Sequence, residues 1–379
     1  MCIADLLRSA LACALAYALL QPGTAGAHPV AQGGLDLTLF PDHVSVRLRP
    51  SMEEVLVAAA FGGRREQLLS DKVRAHGEYL LRHLRLIASG RQLAGRVVKA
   101  SDERGGRPEY ELEYPLTGGP PTEIVLEQDL LREFEYAPGS PWEAPYVARV
   151  EQAGQPPLEG LLLSWREPLA LSCEWNAQAR CTPAQSGKGD VALQYVRHGI
   201  MHILSGYDHL LFIAALALAV TTLWDLVKVI SAFTLAHSIT LTLSVLNIVR
   251  LPENIVEPMI AASIVFVALQ NVIVPERSRG AGRLCVAFFF GLFHGLGFAG
   301  GLLSAMEGMA GLAVGMAIAA FSAGVEIGHQ MVVLPIFGAL KMTRGQQDPQ
   351  PARASEHALR YGSALICAAG VFYLIAALR

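Results

Sequence analysis

Six long apolar stretches fill the second half of the chain, at about 192–218, 226–248, 254–274, 284–304, 312–339 and 358–378. Each is near or above the roughly 20 residues that an α-helix needs to span a bilayer. Backbone amides must be satisfied internally in hydrocarbon, so such runs fold as transmembrane helices. Charge follows the same division: residues 1–190 carry 43 Asp, Glu, Lys and Arg, and residues 191–379 carry 20. One uniform globular domain is therefore excluded. The net charge of -3 excludes nucleic acid as a partner, because phosphate binding needs clustered cations.

Residues 1–27 read as a signal peptide. The apolar run Ser9–Leu20 is too short to span and ends in the small-residue site Ala25-Gly26-Ala27, the alternative being a retained anchor. Cleavage there would expose His28, whose amine and imidazole form a potential chelate. Residues 28–185 read as an extracytoplasmic β-rich domain, with strands expected at Leu35–Leu39, Val44–Leu48, Leu84–Ile87, Glu109–Tyr114, Glu123–Leu126 and Leu161–Trp165. A helical stretch at about Arg64–Leu84 joins them. Cys173 and Cys181 lie in what should be an oxidising space, either closing a small disulfide loop or remaining as two thiols.

Residues 190–379 read as a six-helix transmembrane domain that begins and ends outside. Lys228, Arg277, Arg279, Arg283, Lys341, Arg344, Arg353 and Arg360 fall on the expected cytoplasmic side, against Arg250 and Arg379 outside. The expected architecture is multi-domain: an all-α six-helix transmembrane bundle preceded by an extracytoplasmic, mainly-β, sandwich-like domain, with the bundle in the inner (cytoplasmic) membrane.

Ionisable groups inside hydrocarbon are costly and mark pathways or sites. The candidates are His198, His202, Asp208 and His209 in the first stretch, His237 in the second, Glu257 in the third, His294 in the fourth, and Glu326 and His329 in the fifth. At 100° per residue His198, His202 and His209 share one helical stripe, with Asp208 to the side. Imidazoles and carboxylates without thiolates suit borderline divalent metals better than calcium or magnesium. The bland alternative for each histidine is a hydrogen bond between helices.

These residues fall in recognisable motifs. His202, Gly206, Asp208 and His209 reproduce an HxxxGxDH signature that resembles the HupE/UreJ family of membrane proteins. Phe233–Ser238, Phe290–Phe298 and Gly324–Gly328 resemble its later motifs, and the resemblance covers essentially residues 190–379. It implies a nickel or cobalt permease linked to metalloenzyme maturation, in the longer form with an extracytoplasmic domain. A transported divalent metal ion is then the cargo, the lipid bilayer the surroundings, and a periplasmic metal donor or maturation system the partner. No further cofactor is implied. The expected role is transport, without enzymatic activity, and proton coupling is available because imidazolium cannot bind metal. The rival classes are a membrane metalloenzyme, for which HExxH and HxxHH clusters are missing, and a sensor or assembly factor anchored by the bundle.

Overall fold

In the computed structural model the described residues are 33–63, 68–103, 107–137, 140–152, 157–175, 181–183, 188–249, 251–274, 280–297, 311–344 and 351–378. The signal peptide expected at 1–27, His28, and the loop cations Arg250, Arg277, Arg279 and Arg379 lie outside them. The chain divides into two compact units: one takes the described residues up to Tyr195 together with those of 300–320, and the other takes those of Val196–Ala299 and Phe321–Arg379, so that the first turns of the helices beginning at Lys188 and Gly311 fall in the former.

In the first unit β1 (Gly33–Leu39), β2 (His43–Arg49), α1 (Met52–Phe61), α2 (Leu69–His83), β3 (Leu84–Ala88), β4 (Arg91–Gln92), β5 (Arg96–Glu103), β6 (Arg107–Pro115) and β7 (Glu123–Gln128) follow one another. The short β8 (Glu135–Ala137) and β9 (Ser140–Pro141) precede β10 (Tyr146–Gln152), β11 (Leu158–Leu163), β12 (Leu169–Cys173) and β13 (Cys181–Pro183). One sheet has the order β11-β10-β1-β2-β6-β5 and the other β13-β12-β7-β3-β4. Alternating apolar residues of both sheets, such as Leu37, Val46 and Leu112 of the first and Leu86, Leu126 and Leu171 of the second, belong to one buried core. Five of the expected strands fall within β1, β2, β3, β6 and β7, whereas the sixth overlaps the end of β11 and overshoots it at Trp165. Cys173 and Cys181 face each other across β12 and β13 and are joined as a disulfide.

Helix α1 is absent from the sequence expectations because its residues are apolar on nearly every side. Its start is marked by Ser51, whose hydroxyl accepts from the Glu54 amide at 3.2 Å. Glu54 is fully buried, takes the Tyr146 hydroxyl as donor (2.7 Å to Oε2) and lies 3.2 Å from His76 Nε2. Burial, and then the Glu54 charge, hold the Tyr146 phenol well above its ordinary pKa.

The second unit is helical: α3 (Lys188–Ser205), α4 (Tyr207–Ala219), α5 (Leu223–Val245), α6 (Glu253–Ile273), α7 (Ala281–Gly297), α8 (Gly311–Arg344) and α9 (Pro351–Ala377). Among the described residues four segments are long and apolar enough to cross a membrane: Leu223–Val245, Asn254–Ile273, Val314–Met342 and Leu359–Ala377. The pair α3–α4 makes a fifth if counted as one broken span, while α7 has 17 residues. One apolar core, including Phe212, Phe233, Ile264, Phe290 and Val333, joins α4 to α8.

Two expectations change here. The first stretch is not one continuous helix, because α3 and α4 meet at a bend of 75°. Ser205 turns its hydroxyl back onto the Met201 carbonyl (2.7 Å), a bond that bends helices, and Gly206 takes an extended conformation before α4 restarts. Arg283, expected in a loop or helix end on the cytoplasmic side, lies in the first turn of α7, and its side chain is wholly buried there.

Candidate metal centre

The break between α3 and α4 places the first histidines. His202 ends α3, while Asp208 and His209 open α4, where the helix dipole favours a carboxylate. A side chain at Gly206 would lie only 3.1 Å from His209 Nδ1 and the His202 carbonyl, so glycine lets the chain turn without displacing either residue. The continuous stripe of His198, His202 and His209 is thereby replaced by an angle. His202 and His209 still meet, with ring centroids 4.9 Å apart, because the bend folds α4 back toward the end of α3.

His237 from α5 and His294 from α7 complete the cluster. Their rings stand 5.5 and 5.0 Å from that of His209. Two groups have ligand atoms all within 4.8 Å of one another: His202, His209 and His237, and Asp208, His209 and His294. All five residues are buried, and His209 is common to both groups. Among the described residues both groups belong to the helical unit.

Hydroxyls from neighbouring helices orient two rings. Ser263 on α6 donates to the Ile260 carbonyl at 2.6 Å, so its oxygen accepts from His294 Nε2–H at 3.0 Å. That bond leaves the His294 lone pair on Nδ1. In the same way Thr234 donates to the Ile230 carbonyl (3.2 Å) and accepts from His329 Nδ1–H (3.0 Å), leaving the lone pair on Nε2. His209 Nδ1 lies 3.2 Å from Asp208 Oδ1. Such partners fix the tautomer and aim of a ligating ring. Ser263→Ala is therefore expected to leave the helices folded and to weaken divalent-metal binding by no more than the roughly tenfold expected for loss of His294 itself, as read in a titration of the purified protein.

The other candidates stand around this cluster. His329 is buried with its ring 6.2 Å from that of His209. His198 packs against Phe321, ring to ring at 5.7 Å, and belongs to neither group. Glu257 lines a small cavity with Asp208 and Tyr373. Glu326 accepts from Ser231 and Gln330, each at 2.8 Å, and is also outside both groups. Ser263 and Tyr373 were not singled out from the sequence, since a serine or tyrosine in an apolar helix carries no signal until its neighbour is known.

The fold and the cluster define a multi-pass membrane protein with imidazoles and a carboxylate buried in its helical unit. The family model described as HupE / UreJ protein matches residues 178–377, and the chain belongs to the HupE/UreJ family. Comparisons with curated proteins and with solved structures found no match.

Proposed function

We propose that the helical unit transports a divalent transition-metal ion, nickel or cobalt, across the inner membrane. The observation that carries this reading is the pair of buried three-ligand groups sharing His209. Neutral nitrogen donors with a single carboxylate match borderline divalent ions, and membership of the HupE/UreJ family agrees with it. Three ligands hold an ion while leaving positions for exchange, as passage requires. Because His209 serves both groups, the cluster holds one ion at a time and hands it on by exchanging the remaining ligands.

Counting α3–α4 and α7 as spans gives six, since 17 helical residues extend about 25 Å. The Cys173–Cys181 disulfide supports an oxidising, extracytoplasmic location for the β-rich domain, and hence export by residues 1–27. Ions enter from that side past Glu257 and Asp208, meet the histidines, and leave toward the cytoplasm. Glu326, His198 and His329 flank the route. Protonation removes the lone pair that binds metal, so the proton gradient supplies a means of release.

The test is nickel and cobalt accumulation by proteoliposomes, comparing wild type with His202→Ala and Asp208→Ala. Uptake by wild type and its loss in both variants is the expected result. Uptake that is identical in all three sinks the assignment.

A further inference from the structure

Among the described residues Arg283 is the largest fully buried side chain. It is 0% exposed, and its guanidinium donates to neutral oxygens: Gln270 Oε1 at 3.1 Å, the Ala215 carbonyl at 2.8 Å and the Leu216 carbonyl at 3.3 Å. Among the described residues no carboxylate pairs with it. The two carbonyls belong to the last turns of the half-helix α4, whose dipole favours a cation there. The guanidinium is thus held in place without being neutralised.

Its position follows from helix geometry. On α7, Arg283 and His294 are 11 residues apart, which brings them to within about 20° of one face. On α6, Gln270 is seven residues from Ser263, the partner of His294, again within about 20°. On α4, Ala215 and Leu216 are each seven residues beyond Asp208 and His209. Three helices therefore each present one group at the histidine cluster and one at Arg283, on the same faces and about 10 Å or more apart along their axes. Helix α6 also fixes the order, with Glu257 at the cavity, Ser263 at the cluster and Gln270 at Arg283.

Phenylalanines fill the interval. Phe212, between Asp208 and Ala215 on α4, has its ring centroid 4.8 Å from that of His294, tilted against it, and 6.1 Å from that of Phe290, edge to face; Phe290 lies between Arg283 and His294 on α7. Phe233 closes the group at 5.0 Å from Phe212.

We propose that Arg283 and this phenylalanine layer form the barrier that closes the ion path at the end opposite the Asp208–Glu257 cavity. A divalent ion leaving the histidines meets an apolar layer and then an un-neutralised like charge, whose repulsion is stronger in a buried, low-dielectric setting than in water. The path opens when the guanidinium releases the Ala215 and Leu216 carbonyls. This rests on the transport reading above, and the assay below separates the two.

Full-length protein in proteoliposomes is loaded with an outward-to-inward nickel(II) gradient, and in parallel cobalt(II), without a proton gradient. Nickel affinity is measured on the same preparations. Arg283→Gln is expected to bind nickel within about twofold of wild type yet pass it about tenfold faster or more, because the like charge is gone. Arg283→Lys, which keeps the charge, should pass nickel at the wild-type rate. Gln270→Glu neutralises the guanidinium without removing it and should also raise the flux, so it decides the matter if Arg283→Gln does not retain nickel binding. Fluxes at or below wild type in the charge-neutralised variant that still binds nickel overturn the barrier alone. A wild type that carries neither ion overturns both the barrier and the transport reading.

Discussion

Replacing His209 with alanine is expected to abolish high-affinity metal binding, with a loss of about 100-fold or more in affinity. Structural zinc sites draw about 10–16 kcal/mol from four ligands, so one ligand is worth about 3 kcal/mol, and His209 is a ligand in both groups. His202→Ala removes one group and leaves Asp208, His209 and His294 in place; His294→Ala does the converse. Each single change is therefore expected to cost only about tenfold, and the double change to approach His209→Ala. Nickel titration of the four proteins by calorimetry distinguishes the cases. Equal losses for His202→Ala, His294→Ala and His209→Ala would show that no residue is shared.

The second large effect is expected at Gly295, one residue after His294. A Cβ there would overlap the His237 carbonyl oxygen and the Thr240 hydroxyl, so Gly295→Ala must push α5 and α7 apart. Overpacking of this kind costs about 1–3 kcal/mol or more. It also carries His237 and His294 away from His209, so metal affinity falls together with thermal stability. Gly338→Ala on α8 is the control, because nothing lies within 4 Å of a Cβ at that position and alanine favours helix. Thermal unfolding in detergent with and without nickel reads both effects, and an unchanged midpoint for Gly295→Ala would contradict the close approach.

The apolar stretches made the helical half legible, and the burial cost of charge drew attention to each residue of the two buried His/Asp clusters before any geometry was known. The bend at Gly206 was not legible. An apolar run interrupted only by Ser205-Gly206-Tyr207 keeps a helical pattern, and the decisive bond, from the Ser205 hydroxyl to Met201, is a local competition that periodicity does not register. The stripe argument assumed a continuous helix; the bent chain still brings His202 and His209 together but leaves His198 in neither group. The burial of Arg283 was not legible either. A cation near the end of an apolar run reads as a loop anchor, and its partners lie 68 residues away at Ala215 and 13 away at Gln270. In the first unit the alternating apolar residues of β10 (YVARVEQ) and β12 (LALSC) are short runs set among prolines and glycines and give little strand signal on their own. Their burial becomes visible only through pairing with β1 and β7.

That pairing bears on the order of events as the chain emerges. Strand β1 lies inside its sheet between β2 and β10, and its parallel register joins Gly33 to Tyr146 and Leu39 to Gln152. Closing a loop of this length must precede the contacts that reward it, so folding is expected to be slow. The hairpin of β1 and β2 forms early but keeps one edge open until β10 arrives. Over that interval the exposed edge is a template for wrong strand pairing, and the 113 positions from Gly33 to Tyr146 must be made before it can be sealed.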